Sequence, residues 1–276
     1  MVSDQGPPES VQLPWLRPTP LGGDDVLVYI HIPKTAGTSL IKILDTQFAP
    51  REIFPIHSLR EAEENRGIRL GPPHQYRFLR GHFRFGPFDD CIYRLVVQNP
   101  LMITLMRDPI DRTISSFRHI LRNPENRLHR EFVERGITLH DYVSLPEYAP
   151  RVVNHQARQI AGSFSRSDRE WATRDRGKQE ILRRLSIEHF EQFAFVGLTE
   201  RLPESVKIIS WKFGFNAPME VPHLNTAPSP TKKQDLSPAE LEAVTAANEV
   251  DIELYSHVKK RFENFWMYLQ QGQQRQ

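Results

Sequence analysis

One cysteine, Cys91, stands in 276 residues. No intrachain disulfide can form, which excludes a small secreted domain stapled by disulfides. The thiol is expected to be an ordinary small packing or surface residue. Long apolar runs are lacking too: none approaches the roughly 20 residues that a membrane-crossing helix needs. The segment Met1 to Leu21 is rich in proline and polar side chains. It has neither the basic nor the apolar region of a secretory signal. Taken as written, the chain is expected to be cytoplasmic, with no membrane span. There is no excess of either charge: 36 Lys and Arg face 34 Asp and Glu, a net charge of +2. That argues against a bulk nucleic-acid binder, which carries a strongly basic face, but leaves room for a basic pocket around a small anion. The chain contains no His-Glu-x-x-His, Cys-x-x-Cys or EF-hand pattern, so no metal is expected. It also lacks the Gly-x-Ser-x-Gly elbow of serine hydrolases. No internal repeat or dividing linker appears.

Hydrophobic residues at 39% and charged residues at 25% are ordinary for a globular domain. The run Val26 to Ile32 is short, apolar apart from His31 and β-branched, as in a buried strand. Pro33 ends it and a turn containing Gly37 follows. Leu40, Ile41, Leu44 and Phe48 then recur at helical spacing. Further strands are expected at Tyr76 to Leu79, Leu101 to Met106 and Phe193 to Leu198. A short helix is expected around Leu59 to Glu64. Pro109 suits the first turn of a helix running through Ile114, Phe117 and Leu121. Glu131 to Leu145 and Trp171 to Leu185 read as helices, the second with a solvated, mixed-charge face. Ser237 and Pro238 form an N-cap and N1 pair. Val250, Leu254, Val258, Phe262 and Phe265 share one face of the last helix. Trp211, Phe213 and Phe215 could stack a base but read first as core. Strands alternating with helices predict an α/β fold: a P-loop-like three-layer sandwich with a central, mostly parallel sheet and a helix-rich C-terminal half. The expected organisation is a loose arm over 1–24, a single domain over 25–268 and a frayed tail over 269–276.

The segment from His31 to Ser39 carries the chemistry. Strand, glycine turn and helix make the layout of a phosphate-binding loop. Backbone N–H groups at the helix start have no intrahelical partner, and the helix dipole adds positive potential. Gly37 allows close backbone approach. Thr38 and Ser39 offer hydroxyls and Lys34 a full charge. The nucleotide-triphosphatase loop ends in Gly-Lys-Ser/Thr, whereas here the lysine precedes the glycine.

This arrangement resembles the 5′-phosphosulfate loop of sulfotransferases that use 3′-phosphoadenosine 5′-phosphosulfate (PAPS). It is most like the carbohydrate branch, with the heparan sulfate 2-O- and 6-O-sulfotransferases, and suggests a soluble, bacterial-type member. A second segment agrees: Leu105 to Arg112, running on to Ser115, Phe117, Arg118 and His119. Further echoes are Arg80-Gly81-His82-Phe83, the trio Asn154, Gln156 and Arg158, the run Val196 to Glu200, and Leu224-Asn225-Thr226.

The resemblance implies PAPS as co-substrate, with no metal. It assigns the 5′ end to Lys34, Thr35, Ala36, Gly37, Thr38 and Ser39, the 3′-phosphate to Arg107 and Ser115, and the adenine-nucleotide end to Asn225 and Thr226. His82 becomes the catalytic base of an in-line transfer, with Lys34 stabilising the leaving phosphate. His119 and Arg158 become acceptor contacts. The acceptor carries a free hydroxyl, with a saccharide as the first choice; the oligomeric state is left open.

Each residue also has a plainer reading. Arg107 could pair with Asp108 or Asp111, and Asp108 could orient Arg107 or cap the following helix. Ser115 could face solvent. His82 could be a buried, hydrogen-bonded ring, and His31 reads as structural. At the level of function, the alternatives are a kinase-like phosphotransferase and a non-catalytic nucleotide-binding module.

Overall fold

Val26–Ile30 (β1) is buried along its whole length, as a strand must be when covered on both faces. The computed structural model describes residues 15, 17–55, 73–82, 100–162, 168–216 and 233–273. In the sheet, β1 lies between Phe78–Gly81 (β2) and Pro100–Met106 (β3), with Phe195–Leu198 (β4) outside β3. All three pairings are parallel. Ile30 stands opposite Gly81 on one side and Thr104 on the other. Helices surround this parallel sheet, the expected α/β architecture.

The first helix, α1 (Gly37–Asp45), follows β1 directly. Next comes α2 (Pro109–Arg122), where Pro109 occupies the first turn and the Asp108 carboxylate accepts the N–H groups of Ile110 and Asp111. The expected helix over 131–145 is two helices, α3 (His129–Glu134) and α4 (Leu139–Ser144). The break has a local cause. Gly136 takes a left-handed backbone (φ 61°), and the Ile137 N–H turns back to the Phe132 carbonyl at 3.0 Å. Thr138 then opens α4 with a capping box to Asp141. Likewise α6 (Arg176–Phe190) starts later than the spacing suggests, because Asp175 caps it through the Lys178 N–H. The intervening α5 spans His155–Ala161. Beyond β4 come α7 (Leu202–Phe213), α8 (Pro238–Ala247) and α9 (Glu249–Gln273). Ser237 caps α8 as expected. The five apolar positions singled out on α9 are all buried. The helix expected around Leu59 to Glu64, and Cys91, lie outside the described residues.

Two apolar cores result. One encloses the sheet, and the other gathers Phe117, Phe132, Tyr142, Tyr148 and Val244 among the helices. Asn154 and Asp251 lock the two ends of α5 and α9 together. The Asn154 amide oxygen accepts the Val250 N–H at 3.0 Å, while the Asp251 carboxylate accepts those of Gln156 and Ala157 at 3.1 and 2.7 Å. Each helix start is thus capped by a side chain from the other, so these buried N–H groups are satisfied.

In the stretch before β1, several described residues make tertiary contacts. The Trp15 ring packs edge-on against Phe190 and Phe195, both at 5.3 Å, and its Nε1–H donates to the Phe193 carbonyl at 3.1 Å. The Arg261 guanidinium lies 4.8 Å from its ring centre. Thr19 and Leu21 hydrogen-bond the backbone at the end of α7, and the buried Lys212 ammonium donates to the Arg17 carbonyl. A large aromatic with its one polar atom satisfied is well suited to anchor a terminal segment. At the other end α9 continues to Gln273, with Leu269 against the core.

Trp15→Ala should destabilise the protein by about 3–5 kcal/mol, read from urea unfolding. A change within about 0.5 kcal/mol, typical of surface substitutions, would contradict an anchoring role.

Candidate active site

Because β2, β1 and β3 are adjacent and parallel, they deliver three chain segments to one edge of the sheet. Ligands of open α/β sheets bind outside this carboxyl edge. His82 follows β2, the loop 31–36 follows β1 and Arg107 follows β3. The bidentate Arg80–Asp45 ion pair, with Nη2 to Oδ2 at 3.0 Å, joins the β2 strand to α1. It holds the histidine-bearing strand against the helix that carries the loop.

The loop is wound by two residues in left-handed backbone, Lys34 (φ 75°) and Ala36 (φ 60°). Such residues cost free energy and cluster at ligand sites. The Thr35 hydroxyl is buried and spent on the Ile32 carbonyl at 2.8 Å, so only the Thr35 backbone could serve a ligand. Ser39 is buried as well, whereas Thr38 is exposed. Ala36 occupies the N-cap position of α1 and has no side-chain oxygen to cap it; its carbonyl accepts the Ser39 N–H at 3.0 Å, which leaves the N–H groups of Gly37 and Thr38. Those donors suit an anion.

Gly37 has a more specific reason than the expected one. A methyl there would lie 2.0 Å from the His31 ring and 2.7 Å from the Tyr29 hydroxyl. Glycine is therefore required by the imidazole packed against the helix start. His31 in turn stacks between Tyr29, at 5.8 Å and 17°, and His82, at 4.5 Å and 23°. The His82 Nδ1 lies 2.8 Å from the His31 carbonyl. A carbonyl only accepts, so Nδ1 carries the hydrogen and neutral His82 has its basic lone pair on Nε2. The ring is exposed, not buried.

Arg107 donates through Nη1 to the Lys34 carbonyl at 3.3 Å, which brings the end of β3 onto the loop. Asp108 serves as the helix cap, and the Asp111 carboxylate accepts the Lys233 N–H. Among the described residues neither acid forms an ion pair with Arg107. Ser115 is half-buried in α2, and the next residue, Ser116, bonds the Tyr142 hydroxyl at 2.9 Å.

Electrostatics tie α2 to the loop. Burial lowers the Lys34 pKa, and the charges of Arg122 and Arg107 lower it further. Burial, Lys34 and Arg122 likewise lower that of His119. Lys34, Arg107, His119 and Arg122 therefore share one positive field, in which every group favours an anion. Arg122 belongs to none of the motifs that carry the resemblance. It stands seven residues after Ser115 and three after His119, a spacing that keeps all three on one helical face.

Arg158 does not join this group. It is 3% exposed, and its guanidinium donates to the carbonyls of Val153 (2.9 Å) and Pro150 (2.6 Å). It braces the turn before α5. Asn225 and Thr226 lie outside the described residues. Among those described, no three His, Cys, Asp or Glu side chains gather as a metal site.

A loop with its lysine ahead of the glycine, a second cation from the neighbouring strand and an exposed histidine thus meet at one sheet edge, the layout of a candidate transferase site. The Sulfotransferase family pattern matches residues 21–264. The chain belongs to the sulfotransferase family. Among curated proteins it is 21% identical to heparan-sulfate 6-O-sulfotransferase 2 of Gallus gallus, over 90% of this chain and 70% of that one. Heparan-sulfate 6-O-sulfotransferase 3-B of Danio rerio is also 21% identical, over 92% and 68%. Among solved structures, mouse sulfotransferase SULT7A1 complexed with PAP matches at 15% identity and a TM-score of 0.35. That match covers 76% of this chain and 66%, just under two thirds, of the other. No described helix is long and apolar enough to cross a membrane.

Gly37→Ala should push the His31 ring out of its stack and cost about 1–3 kcal/mol, as overpacking does. Thermal unfolding and the His82 imidazole NMR signals would check this. Unmoved His82 signals would contradict the packing role given to Gly37.

Proposed function

We propose that the protein transfers the sulfuryl group of PAPS to a hydroxyl of a saccharide acceptor. The observation that carries this reading is the joining of Lys34 and Arg107 through the hydrogen bond at the Lys34 carbonyl. It sets two cations from adjacent strands beside an uncapped helix start, an arrangement suited to a ligand with an anionic group at each end. The donor set fits: the surrounding groups are N–H donors and cations, and the nearby acids Asp108 and Asp111 are engaged elsewhere. The kinship with heparan-sulfate 6-O-sulfotransferases supports a carbohydrate acceptor.

In this reading Lys34, Thr38 and the N–H groups opening α1 hold the 5′-phosphosulfate, and Arg107 and Ser115 hold the 3′-phosphate. PAPS, when bound, supplies an activated sulfuryl group on a phosphate leaving group. His82 takes the acceptor hydroxyl proton at Nε2, while its Nδ1–H stays on the His31 carbonyl. A general base of this kind contributes about 10²–10⁴-fold. Lys34 and the loop amides neutralise charge where the leaving group departs, a preorganised electrostatic effect. In the same reading His119 contacts the acceptor.

Calorimetry with 3′-phosphoadenosine 5′-phosphate (PAP) and with ADP, both without magnesium, tests the cofactor class. PAP should bind clearly more tightly, and Arg107→Ala should remove the preference. Equal or absent binding would favour a kinase-like phosphotransferase. His82→Ala should cut turnover about 10²–10⁴-fold while leaving PAP affinity nearly intact; full activity would remove His82 as the base.

The affinity for PAP should fall on the alkaline side, at a pH below that of an ordinary lysine, as Lys34 loses its proton. The sign follows from the lowered pKa: its charged form is the disfavoured one in the free protein. Arg122→Ala removes a repelling charge and should move that alkaline limb to higher pH. An unmoved limb would show that Lys34 is not the titrating group.

A further inference from the structure

The turn that presents Arg107 is held by side chains rather than by backbone pairing. The Gln156 amide grips both polar backbone atoms of Arg107. Its oxygen accepts the Arg107 N–H at 3.0 Å, and its nitrogen donates to the Arg107 carbonyl at 2.8 Å. Glu200 accepts the next N–H, that of Asp108, at 2.8 Å. Pro109 has no N–H, so these two side chains hold every backbone donor between the end of β3 and Ile110. Both grips are secured from α9. The Asp251 carboxylate accepts the Gln156 N–H at 3.1 Å, and the Tyr255 hydroxyl donates to Glu200 at 2.9 Å. Asp251 and Tyr255 are four residues apart, one turn of the same helix. Gln156 is wholly buried, so an unmet amide there would be costly.

We propose that Gln156 and Glu200, braced by Asp251 and Tyr255, are positioning residues that aim Arg107 at the 3′-phosphate. The proposal rests on the reading that Arg107 receives that phosphate. Gln156 presents one donor and one acceptor at fixed spacing, so the backbone of Arg107 cannot rotate without losing both bonds. The guanidinium is thereby pointed before the ligand arrives, which spares part of the ordering cost of binding. Because the 3′-phosphate is remote from the reacting atoms, this aim acts on substrate binding equally in ground and transition states. It should raise KM when lost and leave kcat almost unchanged.

The test compares PAP with AMP, which lacks only the 3′-phosphate, by calorimetry on the full chain. Gln156→Met removes both grips at similar volume, and Tyr255→Phe frees Glu200 while keeping the ring. Each should weaken PAP binding about tenfold, a loss the size of one charged hydrogen bond, with AMP binding unchanged. Neither should cause further loss in an Arg107→Ala background. Gln156→Glu offers a sharper arm. A protonated carboxyl carries one donor and one acceptor, like the amide. The PAP-to-AMP affinity ratio of this variant should recover as pH falls, relative to the unchanged chain at the same pH. Equal losses for PAP and AMP, or an unaltered ratio, would overturn the proposal. If the unchanged chain itself failed to prefer PAP over AMP, the fault would lie with the 3′-phosphate reading of Arg107.

Discussion

With a parallel strand hydrogen-bonded on each side, β1 delivers its next residues to the sheet edge where its neighbours also end. Ile30 is level with Gly81 and Thr104, so the chain just beyond must share that space with His82 and the approach to Arg107. The apolar, β-branched composition of β1 makes this arrangement stable, because only a strand covered on both faces buries all five residues. Lose the register and the histidine, the lysine loop and the arginine no longer meet. The Arg80–Asp45 pair and the Thr104 hydroxyl, which donates to the Ile30 carbonyl at 2.7 Å, reinforce it on the two flanks.

Two kinds of cost are concentrated at this edge. Lys34 and Ala36 hold left-handed backbone, and several cationic groups share one half-buried field. Neither arrangement stabilises the free protein. In the proposed reading, a multiply charged anion offsets the second cost by giving each cation a partner without further reorganisation. The stack of Tyr29, His31 and His82 adds rigidity and limits the ring that carries the basic nitrogen. Helix α9 supplies the remaining support, through reciprocal capping with α5 and its hold on Glu200.

Much of this was legible from local pattern. The four strands, the phosphate loop, the proline start of α2, the Ser237 cap and the buried face of α9 all follow from short-range rules of spacing and capping. The helix expected over 131–145 is broken because Gly136 takes a left-handed backbone that ends α3. Trp15 sits among prolines and polar residues, and nothing nearby in the chain points to Phe190 and Phe195 as its partners. For Arg158, the resemblance implies an acceptor contact, and local pattern shows nothing of its carbonyl partners. Its burial beneath the Pro150 and Val153 carbonyls depends on how the preceding turn folds back.

The sequence by itself determined the layout that carries the family resemblance: a lysine before a glycine at a helix start, with an arginine at the end of another apolar run. Those properties reside in single side chains and their near neighbours, so they survive without a fold. The tertiary structure decided which groups act together. It brought Arg122 beside Lys34, turned the His82 lone pair to Nε2 and set Gln156 on the backbone of Arg107. These outcomes depend on distances between residues far apart in the chain, which the packing of strands and helices sets.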